Sequence, residues 1–141
     1  GMTEDDWANM MQQAMRECIC RHLPDAEMVV FVTAPEMVAW LRDHVQEVNL
    51  LSLDHDLEFV QDDEGRLTDP GDGRDVAQCL AQVRPLCPVI IHTSNAPAAS
   101  SMRFTLEDAG WAVSRVFPEA DCRWIASRWI REVTRLLSDG K

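Results

Sequence analysis

Apolar residues along the chain follow two kinds of pattern, which predict an alternation of helices and strands. Helical spacing of apolar positions predicts helices over residues 3–22, 35–45, 75–83, 98–109 and 121–137. Short continuous apolar runs predict strands over residues 28–32, 48–53, 89–91 and 111–117. Such alternation is typical of a parallel sheet with helices on both faces and right-handed crossover connections.

One stretch, residues 57–72, follows neither pattern. It is rich in acidic residues, Gly and Pro, which predicts a long polar loop after the second strand. Loops of this length inside a compact domain tend to be functional or mobile. Neither a repeat nor a low-complexity segment interrupts the alternation, so residues 1–141 are predicted to form a single α/β domain.

The composition restricts the functions open to this domain. A formal net charge of −11 argues against passive binding of nucleic acid through an extended basic surface. No apolar run is long enough to span a bilayer, and the acidic N-terminal segment lacks the features of a signal peptide. The five cysteines lack framework spacing, which fits a reducing compartment. We therefore expect a cytoplasmic protein with no membrane partner.

The second and third predicted strands end abruptly in residues that carry chemistry. Asp54, His55 and Asp56 terminate one strand, and residues 92–95 (His-Thr-Ser-Asn) terminate the other. Ligands bind beyond the carboxyl ends of strands in open parallel sheets, and neighbouring strands are about 4.8 Å apart. We therefore expect Asp54 and His92 to approach one another at a metal or phosphate site.

The residue types at these strand ends suggest their roles. Two carboxylates with water and a phosphate oxygen suit Mg²⁺ or Mn²⁺, so Asp54 and Asp56 are candidate metal ligands. A divalent ion would also reverse the local charge that repels a phosphodiester. His92 is a candidate general acid or base, because the ordinary histidine pKa of about 6.5 lies near neutral pH. His55 is a second candidate catalytic or nitrogen-ligating side chain.

The candidate phosphate-binding residues are small, and all except the glycine have polar side chains: Thr93, Ser94, Asn95 and Gly73. Gly73 is included because glycine lets backbone approach a ligand closely. Structural alternatives stay open for several candidates. Asn95 is also a favoured helix cap, and His92 also fits a buried histidine that is satisfied within the core. His55 could only order the turn, and Asp56 could only shape the loop.

The order of elements resembles the receiver domain of bacterial response regulators. Asp54 falls at the receiver's phosphorylated Asp, Thr93 at its Ser or Thr, and Glu4-Asp5-Asp6 at its acidic group. The resemblance implies a flavodoxin-like, receiver-like three-layer sandwich with a parallel sheet, in which Asp5 and Asp6 also bind metal. The alternative is that these acids only favour the first turn of the predicted helix. A receiver has an apolar strand before its acidic group. Here that first strand is truncated or absent, so four or five strands are expected.

Departures from the receiver pattern point to a narrower family. Phe117 stands where receivers carry the lysine that contacts the phosphoryl group, and the only lysine of the chain is Lys141. Three motifs occur in order at residues 52–57 (Ser-Leu-Asp-His-Asp-Leu), 73–76 (Gly-Arg-Asp-Val) and 92–95. They are similar to the hallmarks of receiver-like proteins that are predicted to process cyclic phosphates.

Two functions of different classes follow from this resemblance. One is a hydrolase, a metal-dependent cyclic phosphodiesterase with Mg²⁺ or Mn²⁺, whose partner is a phosphate-bearing small molecule or an RNA end. The other is a non-catalytic receiver-like signalling or interaction module without the conventional phosphorelay lysine. An unfilled strand position would expose a sheet edge, and a homodimer is one expected way to cover it.

Overall fold

The computed structural model describes residues 4–31, 33–54, 60–61, 67–68, 73–119 and 121–139. Within these ranges the α-helices are α1 (Glu4–His22), α2 (Ala34–His44), α3 (Gly73–Leu80), α4 (Ala96–Asp108) and α5 (Ile130–Asp139). A 3₁₀ turn (Val45–Glu47) follows α2, and a π-helical segment (Ile125–Trp129) precedes α5. None of the described helices combines the length and apolar character needed to cross a membrane.

The described strands form two separate sheets. Their bounds are β1 (Leu51–Leu53), β2 (Val60–Gln61), β3 (Leu67–Thr68), β4 (Val89–Ile91) and β5 (Val113–Arg115). β1, β4 and β5 make a parallel sheet in the order β1-β4-β5, with β4 in the centre. β2 and β3 pair antiparallel as a short two-stranded sheet. The predicted parallel sheet is thereby confirmed.

The chain packs as two compact units. One consists of Phe31–Arg115 and contains the parallel sheet with α2, α3 and α4. The other consists of Gly1–Val30 and Val116–Lys141 and contains α1, the π-helical segment and α5. The expectation that residues 1–141 form one domain stays a prediction.

Side-chain alternation along the strands produces the core of the unit Phe31–Arg115. Alternate apolar residues of β1 and β4 share one face and are almost fully buried: Leu51, Leu53, Val89 and Ile91. The helices cover this face with buried apolar residues: Leu41 of α2, Val76, Ala77 and Leu80 of α3, and Met102 and Leu106 of α4. This packing fixes β1 and β4 side by side and so determines where their polar ends lie.

Two predicted elements differ from the structure. The strand expected over residues 28–32 is not formed over residues 28–31, and residue 32 lies outside the described residues. Val29 in this run is 45% exposed, so its apolar pattern does not reflect a buried strand. The segment expected to be a polar loop, residues 57–72, contains β2 and β3. A pair of two-residue strands is too short to produce a recognisable alternation among so many polar residues.

Candidate functional site

The strands β1 and β4 end beside one another at one edge of the parallel sheet. Their register pairs Leu53 with Ile91, and the amide of His92 donates to the carbonyl of Leu53 over 2.9 Å. Asp54 directly follows β1 and His92 directly follows β4, and Asp54 is half-buried. The expectation that these two strand ends meet at one edge is therefore confirmed, while the roles of the two side chains stay predictions.

His92 is held in a nearly closed environment. Its side chain is 6% exposed, and its Nδ1 lies 2.7 Å from Oγ of Ser52 in a hydrogen bond across the two strands. Burial lowers the pKa of His92 from 6.5 to about 4, because the charged imidazolium loses its hydration. The imidazole is therefore neutral at neutral pH. Of the two roles expected from the sequence, general acid or general base, this protonation state favours the base.

The turn after β4 is built from Thr93 and Asn95. Thr93 is buried, and its Oγ1 accepts a hydrogen bond from the amide of Asn95 over 3.2 Å. Asn95 is the N-cap of α4, since its Oδ1 accepts from the amide of Ala98 over 3.0 Å. The cap expected as the structural alternative for Asn95 is thus present. Binding of phosphate by Thr93, Asn95 or the exposed Ser94 stays a prediction.

Replacing Asn95 with alanine is expected to reduce the free energy of unfolding by about 1 kcal/mol, because the amide of Ala98 loses its side-chain acceptor. Asn95→Asp keeps an acceptor oxygen at the same place and serves as the matched control. Urea denaturation of the three proteins measures the difference. Equal stability of Asn95→Ala and the wild type would show that the cap contributes nothing.

Gly73 begins α3 directly against the end of β1. A Cβ atom at this position would lie 2.5 Å from the backbone oxygen of Asp54 and 2.6 Å from Cε of Met102. The sequence predicted that Gly73 permits a close approach to a ligand. In the structure its missing side chain permits a close approach to the backbone of Asp54, and any contact with phosphate stays a prediction.

Arg115 is a charged residue of this sheet edge that the sequence analysis did not single out. It is the last residue of β5 and pairs in register with Ile91 of β4. One guanidinium nitrogen, Nη2, donates to the carbonyl oxygen of Thr93 over 2.9 Å. Phe117, the residue that the sequence placed at the receiver's lysine position, is 50% exposed. The signal that could have identified Arg115 is its place at the end of the strand next to β4.

Two helix N-termini and one arginine lie at this edge of the sheet. α3 begins beside the backbone of Asp54, and α4 begins shortly after His92. Helix N-termini carry a partial positive charge and favour bound anions. Arg115 adds a permanent positive charge at the end of β5. These groups favour a bound anion, and binding of phosphate at this edge stays a prediction.

The structure describes only part of the predicted metal site. His55 and Asp56 lie outside the described residues. Asp5 and Asp6 lie at the start of α1, and the placement of their side chains is outside the described part. Among the described residues, no group of three His, Cys, Asp or Glu side chains could hold a metal ion. Binding of Mg²⁺ or Mn²⁺ therefore stays a prediction.

Comparison with models of known protein families shows to which family the chain belongs. A family model described as the cyclic-phosphate processing receiver domain matches residues 4–108. The chain belongs to this family. No protein with a curated description matches the sequence. The family match contains the three motifs at residues 52–57, 73–76 and 92–95, on which the resemblance depended.

Solved receiver structures are similar to this receiver domain in fold. The phosphorylated cyanobacterial phytochrome response regulator RcpA shares 16% identity at a TM-score of 0.66, over 99% of this chain and 92% of its own. A response regulator receiver domain from Rhodospirillum rubrum shares 16% identity at a TM-score of 0.60, over 96% of this chain and 88% of its own. The receiver-like α/β fold class is thereby confirmed. Its three-stranded parallel sheet, over the described residues, agrees with a truncated receiver sheet.

The family match ends before the last strand of this receiver domain. β5 and its terminal residue Arg115 follow residue 108, where the match stops. The contact between Arg115 and the Thr93 carbonyl thus joins a residue outside the matched segment to the His-Thr-Ser-Asn motif inside it. Arg115 is therefore a residue of this edge that the family match does not cover.

Proposed function

We propose that this receiver domain is a phosphoesterase that opens cyclic phosphates, either on a small nucleotide or at an RNA end. The observation that carries the proposal is the position of Asp54 and the buried His92 directly after two adjacent parallel strands, at their carboxyl ends. Ligands of open parallel sheets bind at such ends. Membership of a family described by cyclic-phosphate processing supports the same substrate class.

The proposed reaction is hydrolysis of one ester bond of the ring. Nε2 of His92 takes a proton from water as the water oxygen forms a bond to phosphorus. The bond between phosphorus and one ring oxygen breaks and that oxygen takes a proton from solvent, while Nε2 returns its proton to solvent, which leaves a phosphate monoester. The N-termini of α3 and α4, together with Arg115, would stabilise the negative charge on the phosphoryl oxygens.

The proposal also includes a bound Mg²⁺ or Mn²⁺ ion, whose role is separate from proton transfer by His92. Asp54 is the ligand candidate at the described edge, joined in the prediction by Asp56, Asp5 and Asp6. When bound, such an ion would add charge stabilisation on phosphoryl oxygens. Assays with Mg²⁺, with Mn²⁺ and with a chelator therefore test the ion independently of the proton-transfer role of His92.

The test is incubation of the purified chain with a nucleoside 2′,3′-cyclic phosphate, followed by phosphorus NMR. We expect conversion to a monophosphate with a divalent ion present. His92→Ala is expected to lower turnover at least 100-fold, because general base catalysis contributes about 10²–10⁴-fold. His22→Ala, an exposed histidine at the end of α1, is the matched control. Absence of hydrolysis with every divalent ion, or full activity of folded His92→Ala, would contradict the proposal.

The second candidate function is a receiver-like signalling module in which Asp54 is phosphorylated. Asp54 ends β1 and is half-buried, so it is the described carboxylate best placed for this modification. Incubation with acetyl phosphate and intact-mass analysis separates the two functions. A stable added phosphate that Asp54→Asn abolishes, in a protein that cleaves no cyclic phosphate, would establish signalling instead of hydrolysis.

Two further expectations accompany the proposal. The five cysteines are all free thiols, which favours the predicted cytoplasmic location. β1 is an outer strand of the described parallel sheet, which favours the predicted homodimer as a way to protect an edge. Sedimentation of the purified chain over a range of concentrations tests the homodimer directly.

A further inference from the structure

Ser52 is a polar residue in the middle of the otherwise apolar strand β1. Both neighbours, Leu51 and Leu53, are buried in the core on one face of the sheet. Alternation directs Ser52 to the opposite face, where its register partner is Ile90 of β4. From there its hydroxyl reaches diagonally to Nδ1 of His92 over 2.7 Å. The strand pairing thus places one hydroxyl against one nitrogen of the imidazole.

We infer that Ser52 is a positioning residue for His92: it accepts the proton of Nδ1–H and thereby leaves the lone pair on Nε2 as the base. This inference rests on the proposed phosphoesterase function and assigns it a residue that contacts no substrate. A neutral imidazole has one N–H group and one lone pair. A serine hydroxyl can accept or donate a hydrogen bond, and a base at Nε2 requires that Ser52 accepts from Nδ1–H.

The hydrogen bond to Ser52 also restrains the orientation of the imidazole ring. A histidine ring can rotate about its terminal torsion, which is intrinsically broad. The hydrogen bond to Ser52 fixes that rotation, and the strand register fixes the position of Ser52 itself. Nε2 is consequently held in one direction. Because a misplacement of about 1 Å can reduce a catalytic rate about 100-fold, such restraint has a measurable effect on turnover.

The first test measures the imidazole nitrogens by heteronuclear NMR and needs no turnover. In the wild type we expect one tautomer for His92, with the proton on Nδ1 and an unprotonated Nε2. In Ser52→Ala we expect averaged nitrogen shifts that show a mixture of tautomers. A wild type with the proton on Nε2, or an unchanged tautomer in Ser52→Ala, would overturn the inference whether or not the protein hydrolyses cyclic phosphates.

The second test measures kinetics with the nucleoside 2′,3′-cyclic phosphate. Ser52→Ala is expected to lower kcat by roughly 10- to 100-fold with little change in KM, because the base is misplaced and the substrate contacts are kept. Ser52→Thr keeps the hydroxyl and is expected to restore kcat. Ser114→Ala is the matched control. Ser52 of β1 and Ser114 of β5 are both register partners of Ile90, one on each side of β4.

The outcomes separate this inference from the function on which it rests. If the wild type hydrolyses the substrate and Ser52→Ala matches Ser114→Ala in kcat, the positioning role is wrong while the function stands. If the wild type hydrolyses nothing, the proposed function fails and the NMR test decides the tautomer alone. If Ser52→Ala does not fold, Ser52→Cys takes its place. The thiol of Ser52→Cys forms weaker hydrogen bonds than a hydroxyl, so this variant is expected to have a kcat between those of the wild type and an inactive variant. A Ser52→Cys protein with the kcat and the tautomer of the wild type would overturn the inference.

Discussion

Lowering the pH from 7 to 4 is expected to reduce the free energy of unfolding by on the order of 3 kcal/mol through His92 alone. Burial lowers the pKa of this imidazole to about 4 in the folded protein, against 6.5 for an ordinary histidine. As the pH falls through 6.5, the unfolded chain takes up a proton that the folded protein does not. The stability contribution is therefore complete above pH 6.5, declines between 6.5 and 4, and is constant below that range.

Urea denaturation of the wild type and His92→Gln at several values between pH 7 and pH 4 measures this contribution. Carboxylates that titrate in the same range affect both proteins, so the difference between the two curves isolates His92. We expect that difference to change by on the order of 3 kcal/mol in favour of His92→Gln as the pH falls. Parallel curves would show that His92 is not buried in its neutral form.

Replacing Gly73 with alanine is expected to reduce the free energy of unfolding by roughly 1–3 kcal/mol and to disturb the end of β1. The new Cβ would lie 2.5 Å from the Asp54 carbonyl oxygen and 2.6 Å from Cε of Met102. The Met102 side chain can move aside, but the Asp54 oxygen belongs to the backbone. Alanine favours a helix by up to about 1 kcal/mol over glycine, and the overlap outweighs this gain.

Three variants test this explanation by denaturation and by turnover of the cyclic phosphate. Gln78→Ala, at an exposed position of α3, is the matched control and is expected to keep wild-type stability. Gly73→Ala combined with Met102→Ala is expected to rescue neither stability nor turnover, because the overlap with the Asp54 backbone persists. Wild-type stability and turnover of Gly73→Ala would contradict the account of a close helix–strand contact at this edge.

The parts of the site that could be predicted from sequence are those encoded by abrupt changes of pattern. The apolar runs before Asp54 and His92 indicated two buried strands, and the parallel arrangement then required their ends to meet. Arg115 could not be identified in this way, because the short sequence Val113-Ser114-Arg115 does not reveal which strand lies beside it. Its contact with the Thr93 carbonyl depends on tertiary register.

The protonation state of His92 and the hydrogen-bond partner of Asn95 also could not be predicted from the sequence. The ordinary histidine pKa left His92 open as acid or base, and only its burial in the folded unit favours the base. Asn95 fits both a helix cap and a phosphate contact, and the 3.0 Å bond from the Ala98 amide establishes the cap. The apolar run at residues 28–31 was wrongly predicted as a strand because an apolar pattern does not show whether a neighbouring strand is available.

We propose that the carboxyl ends of β1 and β4 form one site that binds a cyclic phosphate. Titration of the isotope-labelled protein with a nucleoside 2′,3′-cyclic phosphate, followed through its backbone amide resonances, shows whether they do. We expect the resonances of Gly73, Asp54 and His92 to shift together with one concentration dependence. Unchanged resonances at this edge under saturating ligand, or shifts concentrated elsewhere in the chain, would contradict the proposal.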